Sequence, residues 1–471
     1  MRMKLYNTLS RSVEELQPLN PPVVTMYTCG PTVYDYTHIG HMRTYTMVDI
    51  LRRTLTMQGF HVKQVMNVTD VGHLTSDGDT GEDKLEKGAK KYGKTVWEIA
   101  QFYTDFFHSA MKVINILPPD VESKATDHIP EMIELIQTLG KKGFTYETDE
   151  AIYFDVSKFS NYGKLSRQKI DEKLQAVRDE VFEDPQKKHP ADFVLWFKRV
   201  GKFADHTMHW PSPWGEGFPG WHIECSAMSM KYLGESIDIH TGGIDHIPVH
   251  HENEIAQSEG ATGKKFVQIW VHPNFLQVDG QKMSKSLGNF YTYEDVQKKG
   301  IEPLALRLLF LQAHYRQSLN FTWESAKGAQ ETLDKLKNTV LTLRSQTERS
   351  MLSEDKLAKI DEYRIAFRTA LANDLQTPQA VSVMFEMLKS NIPSEDKLDL
   401  LYEFDEVLGL DLAKTEQEKI PDEIIQLGWT RLQARQAKDF AKSDELRKLI
   451  EEKGYNIEDR EETFEIIKKN R

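Results

Sequence analysis

The chain is organised around one stretch near its N-terminus, Met26-Tyr-Thr-Cys29-Gly-Pro-Thr-Val-Tyr-Asp-Tyr-Thr-His38-Ile-Gly40-His41. The apolar residues that lead into it predict a short buried strand, and apolar residues recur at helical spacing after His41. A strand, a turn and a helix start together present backbone N–H groups to a phosphate chain. Gly40 lets a ligand approach the backbone, and the imidazoles of His38 and His41 can donate to phosphate oxygens. The stretch predicts a nucleotide site, although two close histidines in a polar loop are more often plain surface residues.

The composition bounds the class of protein. A chain of 471 residues, 39% hydrophobic and 28% charged, allows two to four domains with full-sized cores. No apolar run approaches the ~18 residues of a membrane span, and the N-terminus lacks a secretory signal, so we expect a cytoplasmic protein. A net charge of −12 argues against a general nucleic-acid coat but leaves room for a local basic groove. The two cysteines, Cys29 and Cys225, are expected to be catalytic, metal-bound or buried rather than bridged.

A second buried strand is predicted over Gly59-Phe-His-Val-Lys-Gln-Val-Met-Asn67-Val-Thr69-Asp70. Strand, helix and strand at this spacing form a βαβ unit, which binds ligands at the carboxyl ends of its strands. Asn67, Thr69 and Asp70 should therefore lie beside Cys29. The segment from Gly72 to Glu86 is rich in glycine and acidic residues and predicts a mobile loop.

The fold class that follows is α/β, with a Rossmann-like parallel-sheet domain split by an insertion domain, then a helical bundle and a small C-terminal domain. The predicted segments are 1–115 and 206–295 for the two halves of the sheet domain, 116–205 for the insertion, 296–345 for a linker region, 346–415 for the bundle and 416–471 for the C-terminal domain. Within the insertion, Phe144-Thr-Tyr146 and Ile152-Tyr-Phe154 flank Asp149 and predict a hairpin.

A candidate metal site joins the two halves of the sheet domain. Cys29, Cys225, His250 and Glu254 each fall at a predicted strand end or helix start, so they can converge at one sheet edge. Two thiols, an imidazole and a carboxylate suit zinc. A lone His-x₃-Glu pair on a helix is usually only a surface pair. Here both cysteines of the chain lie beside motifs of the kind that bind phosphate, and this favours the metal site.

A cationic loop, Lys282-Met-Ser284-Lys285-Ser286, follows the predicted strand from Phe266 to Val271. Glycines bracket the loop and make it flexible. A short basic loop is usually only a solvated feature. Its place after a buried strand favours a loop that covers a ligand.

The later chain is predicted to be helical, with Arg431, Arg435, Lys438 and Lys442 along one side of a single helix. Such a row is usually a solvated face, and it could equally follow a phosphate backbone.

Two of these motifs, His38-Ile-Gly-His41 and Lys282-Met-Ser-Lys-Ser286, resemble the signatures of the class I aminoacyl-tRNA synthetases. Three more stretches resemble the cysteinyl-tRNA synthetase versions, and they are Cys29-Gly-Pro-Thr-Val-Tyr-Asp, Gly220-Trp-His-Ile-Glu-Cys225-Ser and His250-His-Glu-Asn-Glu254. The resemblance covers essentially the whole chain. One departure is Thr69-Asp70-Val-Gly-His73, where many members have Thr-Asp-Ile-Asp-Asp-Lys.

The resemblance implies a two-step reaction. ATP, accompanied by Mg²⁺, and L-cysteine give cysteinyl-adenylate and pyrophosphate, and the acyl group then moves to the 2′-hydroxyl of the terminal adenosine of tRNA(Cys). His38, His41, Lys282 and Lys285 are implied to act on the triphosphate. The implied ATP site further contains Gly40, Gly242, Gly243, Asp245, Ser284 and Ser286, and the implied cysteine site contains Gly30, Thr69 and Trp221.

The resemblance also implies one Zn²⁺ on Cys29, Cys225, His250 and Glu254, which selects the substrate thiolate over an alcohol. Four protein ligands describe a closed site, so either the metal accepts a fifth ligand or Glu254 leaves when cysteine binds. Residues 296–345 are implied to contact the tRNA stem and 416–471 the anticodon region, with Arg431 and Arg435 as candidate contacts. The enzyme is expected to be a monomer.

Two rivals have to be weighed. A cysteine ligase of the mycothiol ligase type makes the same adenylate but uses a small amine acceptor, and it lacks an anticodon module. A non-catalytic relative that binds zinc or RNA should have decayed signature motifs. The long helical continuation and the intact motifs of this chain favour the tRNA ligase.

Overall fold

Residues 2–71, 74, 83–168, 184–285, 287–346, 352–417, 420–460 and 463–468 are described by a computed structural model. The chain divides into two compact units, Met1–Leu412 and Ala413–Arg471. None of the helices in these ranges is both long enough and apolar enough to cross a bilayer.

The strands, in chain order, are β1 Lys4–Asn7, β2 Ser12–Glu15, β3 Val23–Thr28, β4 His61–Val68, β5 Val121–Lys124, β6 Thr145–Glu147, β7 Ala151–Phe154, β8 Phe193–Lys198, β9 Gly217–Pro219, β10 Ile237–Thr241, β11 Val267–Val271, β12 Leu276–Val278, β13 Gln281–Lys282, β14 Leu319–Phe321, β15 Tyr455–Asp459 and β16 Phe464–Lys468.

The α-helices are α1 Ile39–Met57, α2 Lys84–Tyr92, α3 Val96–Val113, α4 Ile129–Lys141, α5 Trp221–Leu233, α6 His250–Thr262, α7 Tyr293–Lys298, α8 Pro303–Leu311, α9 Trp323–Ser345, α10 Glu354–Ala372, α11 Thr377–Lys389, α12 Ser394–Leu408, α13 Asp422–Gln436 and α14 Phe440–Glu452.

The central sheet has the order β11-β10-β3-β4-β5, and every neighbouring pair is parallel. From β3 the chain winds outward to β4 and β5, and it later returns to β10 on the other side of β3. The pair β3 and β10 is therefore the point at which the winding direction reverses, and ligands bind beyond the carboxyl ends of the strands at such a point. The predicted Rossmann-like α/β fold is confirmed.

The insertion lies later in the chain than predicted. Strand β5 falls inside the predicted insertion but pairs with β4 in the central sheet. A separate antiparallel sheet of order β6-β7-β8-β9 extends from Thr145 to Pro219. Its first pair, β6 and β7, is the hairpin predicted around Asp149. Most of the loop predicted from Gly72 to Glu86 lies outside the described residues, and α2 begins at its end.

The helices after the central sheet share one core with it. Apolar side chains from α1, α8, α9 and α10 to α12 are buried together, among them Ile50, Leu306, Leu333, Phe367 and Phe404. Burying this surface is the main force that holds the helices on the sheet. Residues 346–412 therefore belong to the same compact unit as the site, as does the short sheet β13-β12-β14.

Helix α1 is held in place by buried Arg43. Its guanidinium donates to the backbone carbonyls of Asn274 and Phe275 at 2.6 and 2.7 Å, and to that of Gln317 at 2.5 Å. These carbonyls lie between β11 and β12 and before β14. Arg43 thereby fixes the helix that begins beside His38 against the segment that leads into the Lys282 loop.

In the second unit, α13 and α14 pack on the β15–β16 hairpin around Ile424, Ile450, Ile457 and Ile466. A Cβ on Gly428 would lie 2.3 Å from the Phe464 ring, so the helix can approach the hairpin only with glycine there.

Candidate active site

The four predicted metal ligands converge in a buried cluster. Cys29 follows β3, Cys225 lies in α5, and His250 and Glu254 lie one turn apart in α6. Their ligand atoms all lie within 4.8 Å of one another. The two sulfurs are 4.0 Å apart, and His250 Nε2 is 3.1 Å from Glu254 Oε1. Two thiols, an imidazole and a carboxylate, buried together and aimed at one point, fit zinc.

Two further histidines, which the sequence motifs did not predict as ligands, lie in this cluster. His240 and His251, with Cys29 and Glu254, form a second set of four potential ligands. His240 Nε2 is 2.8 Å from Glu254 Oε2, and His251 Nε2 is 3.3 Å from Cys29 Sγ. Both residues could have been suspected, since His240 lies near the end of β10, two residues before Gly242, and His251 adjoins His250. They surround the predicted ligands on the side of the sheet.

The two thiols of the cluster differ in how readily they ionise. Burial raises the pKa of Cys29 well above its ordinary value, and Cys225 and Glu254 raise it further. Burial also opposes ionisation of Cys225, but the hydrogen bond from Cys29 and the nearby His250 lower its pKa to about 6. Burial opposes protonation of His250, yet Cys225 and Glu254 raise its pKa to about 10. Cys225 is therefore the thiol most ready to act as a thiolate donor.

His38 and His41 lie together at the start of α1, with their rings stacked 3.7 Å apart. His38 Nδ1 accepts the N–H groups of Gly40 and His41 at 3.0 and 3.3 Å, and the Ile39 N–H donates to the Tyr291 carbonyl. The first backbone donors of the helix are thus occupied. In this structure the helix is capped by its own histidine, so these N–H groups are not left open to a phosphate chain.

The imidazoles themselves are the donors that remain. His41 Nδ1 is 3.4 Å from the His38 N–H, so the ring hydrogen of each neutral histidine is assigned to Nε2. Burial lowers the pKa of His38 well below 6.5, and His41 adds to this effect. Burial lowers the pKa of His41 too, partly offset by Asp245 and Asp35. Neutral rings with an N–H can donate to a charged oxygen without themselves titrating near pH 7.

A polar chain links Gly30 to Glu224. The Gly30 N–H donates to Asn67 Oδ1 at 2.8 Å, Asn67 Nδ2 donates to Thr69 Oγ1 at 3.1 Å, and Thr69 donates to Glu224 Oε2 at 2.7 Å. A Cβ on Gly30 would lie 1.6 Å from the Asn67 carbonyl oxygen. Asn67 and Thr69 thus lie near Cys29 as predicted. The Asp70 carboxylate instead accepts hydrogen bonds from the N–H and the hydroxyl of Thr126. Burial raises the pKa of Glu224, a residue that the sequence analysis did not single out.

Eight of the predicted site residues line one cavity of about 310 Å³. Its lining includes Cys29, Gly30, His38, His41, Trp221, Gly243, Asp245 and His250. Trp221 stacks on His250 with the ring centroids 4.3 Å apart. Gly40, Thr69, Gly242, Lys282, Ser284 and Lys285 are not part of the lining. Gly242 instead lies against His251, whose ring a Cβ would meet at 2.6 Å.

Residues 282–285 lie beside this cavity, and Ser286 lies outside the described residues. Lys285 forms an ion pair with Asp35, and its Nζ is 5.2 Å from the centre of the Phe290 ring. Asn289 accepts the Ser284 N–H at 2.8 Å and donates to the Lys282 carbonyl at 3.2 Å. Asp35 and Asn289 are functional candidates that the sequence analysis missed. Lys282 itself is exposed.

The row of cations predicted near the C-terminus is not on one helix. Helix α13 ends at Gln436, Lys438 has a positive φ of 60°, and Lys442 belongs to α14. Arg431 is buried and donates twice to Asp459, at 2.6 and 3.1 Å. Its predicted exposed position is wrong, because the guanidinium holds α13 on β15. Arg435 is about half exposed and also pairs with Asp459, so it remains a candidate for RNA contact.

A parallel sheet with a histidine pair and a lysine loop at its reversal point is the architecture of the class I tRNA synthetases. Residues 15–331 match the sequence model of the family "tRNA synthetases class I (C) catalytic domain". The chain therefore belongs to this family of aminoacyl-tRNA ligases. Among its curated relatives, the "Cysteine--tRNA ligase" of Treponema denticola is 43% identical, over 98% of this chain and 98% of the relative. The protein of the same name from Brevibacillus brevis is also 43% identical, with the same two coverages.

Solved structures agree on the fold. The ternary complex LeuRS–tRNA–LeuAMS of Agrobacterium radiobacter K84 superposes with a TM-score of 0.60 at 12% identity, over 84% of this chain and 85% of that chain. Methionyl-tRNA synthetase of Mycobacterium tuberculosis bound by methionyl-adenylate gives 0.56 at 15% identity, over 82% and 90%.

Proposed function

We propose that the chain is a cysteine–tRNA ligase. It activates L-cysteine with ATP and transfers the cysteinyl group to the 2′-hydroxyl of the terminal adenosine of tRNA(Cys). One observation carries the proposal: the cavity lined by His38 and His41 is also lined by Cys29 and His250 of the metal-type cluster. A phosphate-handling pair and a thiol-selecting site therefore open on the same space.

The buried cluster supports the choice of cysteine. Zinc held by Cys29, Cys225, His250 and Glu254 would supply a soft Lewis acid that prefers a thiolate to an alcohol. A site built only from small contact differences separates similar side chains by about 1–3 kcal/mol. Trp221, which stacks on His250, would cover the substrate side chain, and His240 would hold Glu254 in orientation through its other oxygen.

Besides selecting cysteine, the site has to stabilise negative charge on the triphosphate. The negative charge that develops during adenylate formation can be met by the Nε2–H groups of His38 and His41, which need no reorganisation because each Nδ1 is already held by the backbone. Lys285 and Lys282 would add positive charge from the loop. Asp35 would hold Lys285 near the cavity until ATP binds, and Gly243 with Asp245 would face the adenosine.

The nature of the acceptor separates this function from its nearest rival. The relatives named as cysteine–tRNA ligases align over 98% of this chain, including the second compact unit with its exposed arginines. Alignment over nearly the whole chain supports tRNA, rather than a small amine, as the acceptor of the cysteinyl group. Magnesium with ATP, a monomeric state and a cytoplasmic location remain predictions.

A single set of assays tests the proposal. Cysteine should support ATP–pyrophosphate exchange, serine and the other amino acids should not, and a tRNA(Cys) transcript should then be charged. Exchange with cysteine followed by transfer to an amino sugar, with no tRNA charging, would establish the small-amine ligase instead. The absence of any exchange by protein that contains zinc would favour the non-catalytic relative.

A further inference from the structure

Exposed aromatic side chains are concentrated beside the mouth of the cavity. Among the described residues, seven aromatic side chains are strongly exposed, and four of them are Tyr36, Tyr92, Trp97 and Phe102, at 36%, 52%, 49% and 43%. Single exposed aromatics are common, but a cluster on one surface marks an interaction site.

The aromatic residues are continuous with the active site. Tyr36 lines the cavity together with His38 and His41, and its ring packs edge-on against Phe102 and Phe106 at 6.0 and 4.8 Å. Phe102 therefore extends the aromatic surface outward along α3. Trp97, five residues earlier on the exposed side of the same helix, lies edge-on to Trp210 with the ring centroids 6.4 Å apart.

Lysines accompany these rings. Residues 84–94 contain five lysines and one glutamate in a chain whose net charge is −12. Leu85 and Ala89 face the core, whereas Lys87, Lys90 and Lys91 are exposed. Lys94 Nζ lies 5.2 Å from the centre of the Phe102 ring, and Lys84 lines the cavity itself.

Helix α2 is held in a defined position. Asp83 caps its first turn through Oδ1, and its other oxygen lies 3.1 Å from His206 Nε2. The Thr207 N–H donates to Glu86 at 2.6 Å. The cationic face of α2 is therefore a fixed surface beside the aromatic face of α3.

We propose that Tyr36, Tyr92, Lys91, Lys94, Trp97 and Phe102, here termed the acceptor strip, bind the unpaired 3′ end of the RNA acceptor. Unpaired bases stack on aromatic rings whatever their sequence, and lysines neutralise the phosphates between them. A neutral or basic protein partner would not explain five lysines in eleven residues of an acidic chain. The strip ends where the terminal adenosine must enter, at the cavity that holds His38 and His41. This inference rests on the proposed function, because it assumes an RNA acceptor.

The test compares two hairpin RNAs that share an acceptor stem, one with and one without the unpaired 3′ end. The double variant Lys91→Ala/Lys94→Ala should bind the tailed hairpin and tRNA(Cys) about tenfold more weakly. The dependence of log Kd on log salt should become shallower by about 1.4, which is about 0.7 for each lost contact to a single strand. Phe102→Leu should also bind the tailed hairpin about tenfold more weakly. Phe102→Tyr keeps an aromatic ring and should bind it like the wild type.

The matched control is Lys264→Ala/Lys265→Ala, which removes the same charge just before β11. These lysines lie at the amino ends of the parallel strands, opposite the cavity, and should leave RNA affinity unchanged. Every variant should keep cysteine-dependent pyrophosphate exchange, and thermal unfolding verifies that each is folded. Equal losses for both hairpins, or unchanged RNA affinity, would overturn the acceptor strip. Wild-type protein that lacks exchange would overturn the proposed function, so the two failures are distinguishable.

Discussion

Lys285 forms an ion pair with Asp35 and thereby joins two motifs that lie 250 residues apart in the chain. Asp35 belongs to the stretch that begins at Cys29, and Lys285 belongs to the loop after β13. Because the pair is substantially exposed, its contribution to stability is small. Its importance is positional, since it holds an ammonium group at the edge of the cavity, beside Phe290.

For this reason Lys285→Ala should slow adenylate formation by about 10²–10³-fold and hardly change the Kd for cysteine. His41→Ala should behave in the same way, because its Nε2–H is a donor used mainly in the transition state. Stopped-flow measurement of adenylate formation separates rate from binding. A variant with an unchanged rate and a weakened cysteine affinity would show that the triphosphate assignment is wrong.

Cys225→Ser should lose bound zinc and cysteine activation together, because a neutral hydroxyl replaces the thiol most ready to ionise. Elemental analysis gives the metal content and pyrophosphate exchange gives the activity. The matched control is Ser229→Ala, one turn later in α5, whose hydroxyl has no hydrogen-bond partner among the described residues and whose loss should keep both. Full cysteine activation in protein that contains no zinc would contradict the metal assignment.

Gly30→Ala should destabilise the protein by about 1–3 kcal/mol, because its Cβ would overlap the Asn67 carbonyl and force the backbone apart. The control is Gly328→Ala in α9, where a Cβ meets nothing within 4 Å. There alanine should stabilise the helix by up to about 1 kcal/mol. Urea unfolding of both variants measures the difference, and a Gly30→Ala protein as stable as the wild type would refute the packing argument.

Removal of residues 413–471 should preserve cysteine-dependent pyrophosphate exchange and abolish tRNA charging. The structure sets this cut site, because a cut at residue 346 would expose the core shared by α1, α9 and α12. It would also remove the Leu408 carbonyl, which accepts from the buried Arg307 at 2.6 Å. A protein cut at 412 that charged tRNA(Cys) at the full-length rate would exclude an essential role of the second unit.

His108 provides a test of pH dependence. The hydrogen bond that the His108 Nε2–H donates to the Glu122 carboxylate, at 2.8 Å, raises the pKa of His108 above 6.5 despite partial burial. The folded state then binds more protons than the unfolded state between 6.5 and the raised pKa, so the free energy of unfolding falls as pH rises through that window. Solvent screening limits the effect to a few tenths of a kcal/mol. In an NMR titration, Glu122→Gln should return the His108 pKa towards 6.5, and an unchanged pKa would contradict the assignment.

The sequence by itself determined the local elements and the kinds of chemistry. Strands β3, β4 and β11 were predictable because apolar runs between turn residues are a local signal. Cys29, Cys225, His250 and Glu254 could be grouped because few residue types bind zinc and each follows a predicted strand or starts a helix. The same reasoning placed Asn67 and Thr69 near Cys29.

Only the tertiary structure decided which partner each polar group takes. The capping of α1 by His38, the approach of His240 and His251 to the metal ligands, and the pairing of Lys285 with Asp35 depend on side-chain directions and on contacts across the chain. The helical pattern of the sequence predicts an exposed position for Arg431. Its guanidinium is instead buried and donates to Asp459, 28 residues later in the chain. Hydrophobic periodicity determines which face of an element is buried, but a charge or hydrogen bond is satisfied by whichever residue the completed fold brings within about 3 Å.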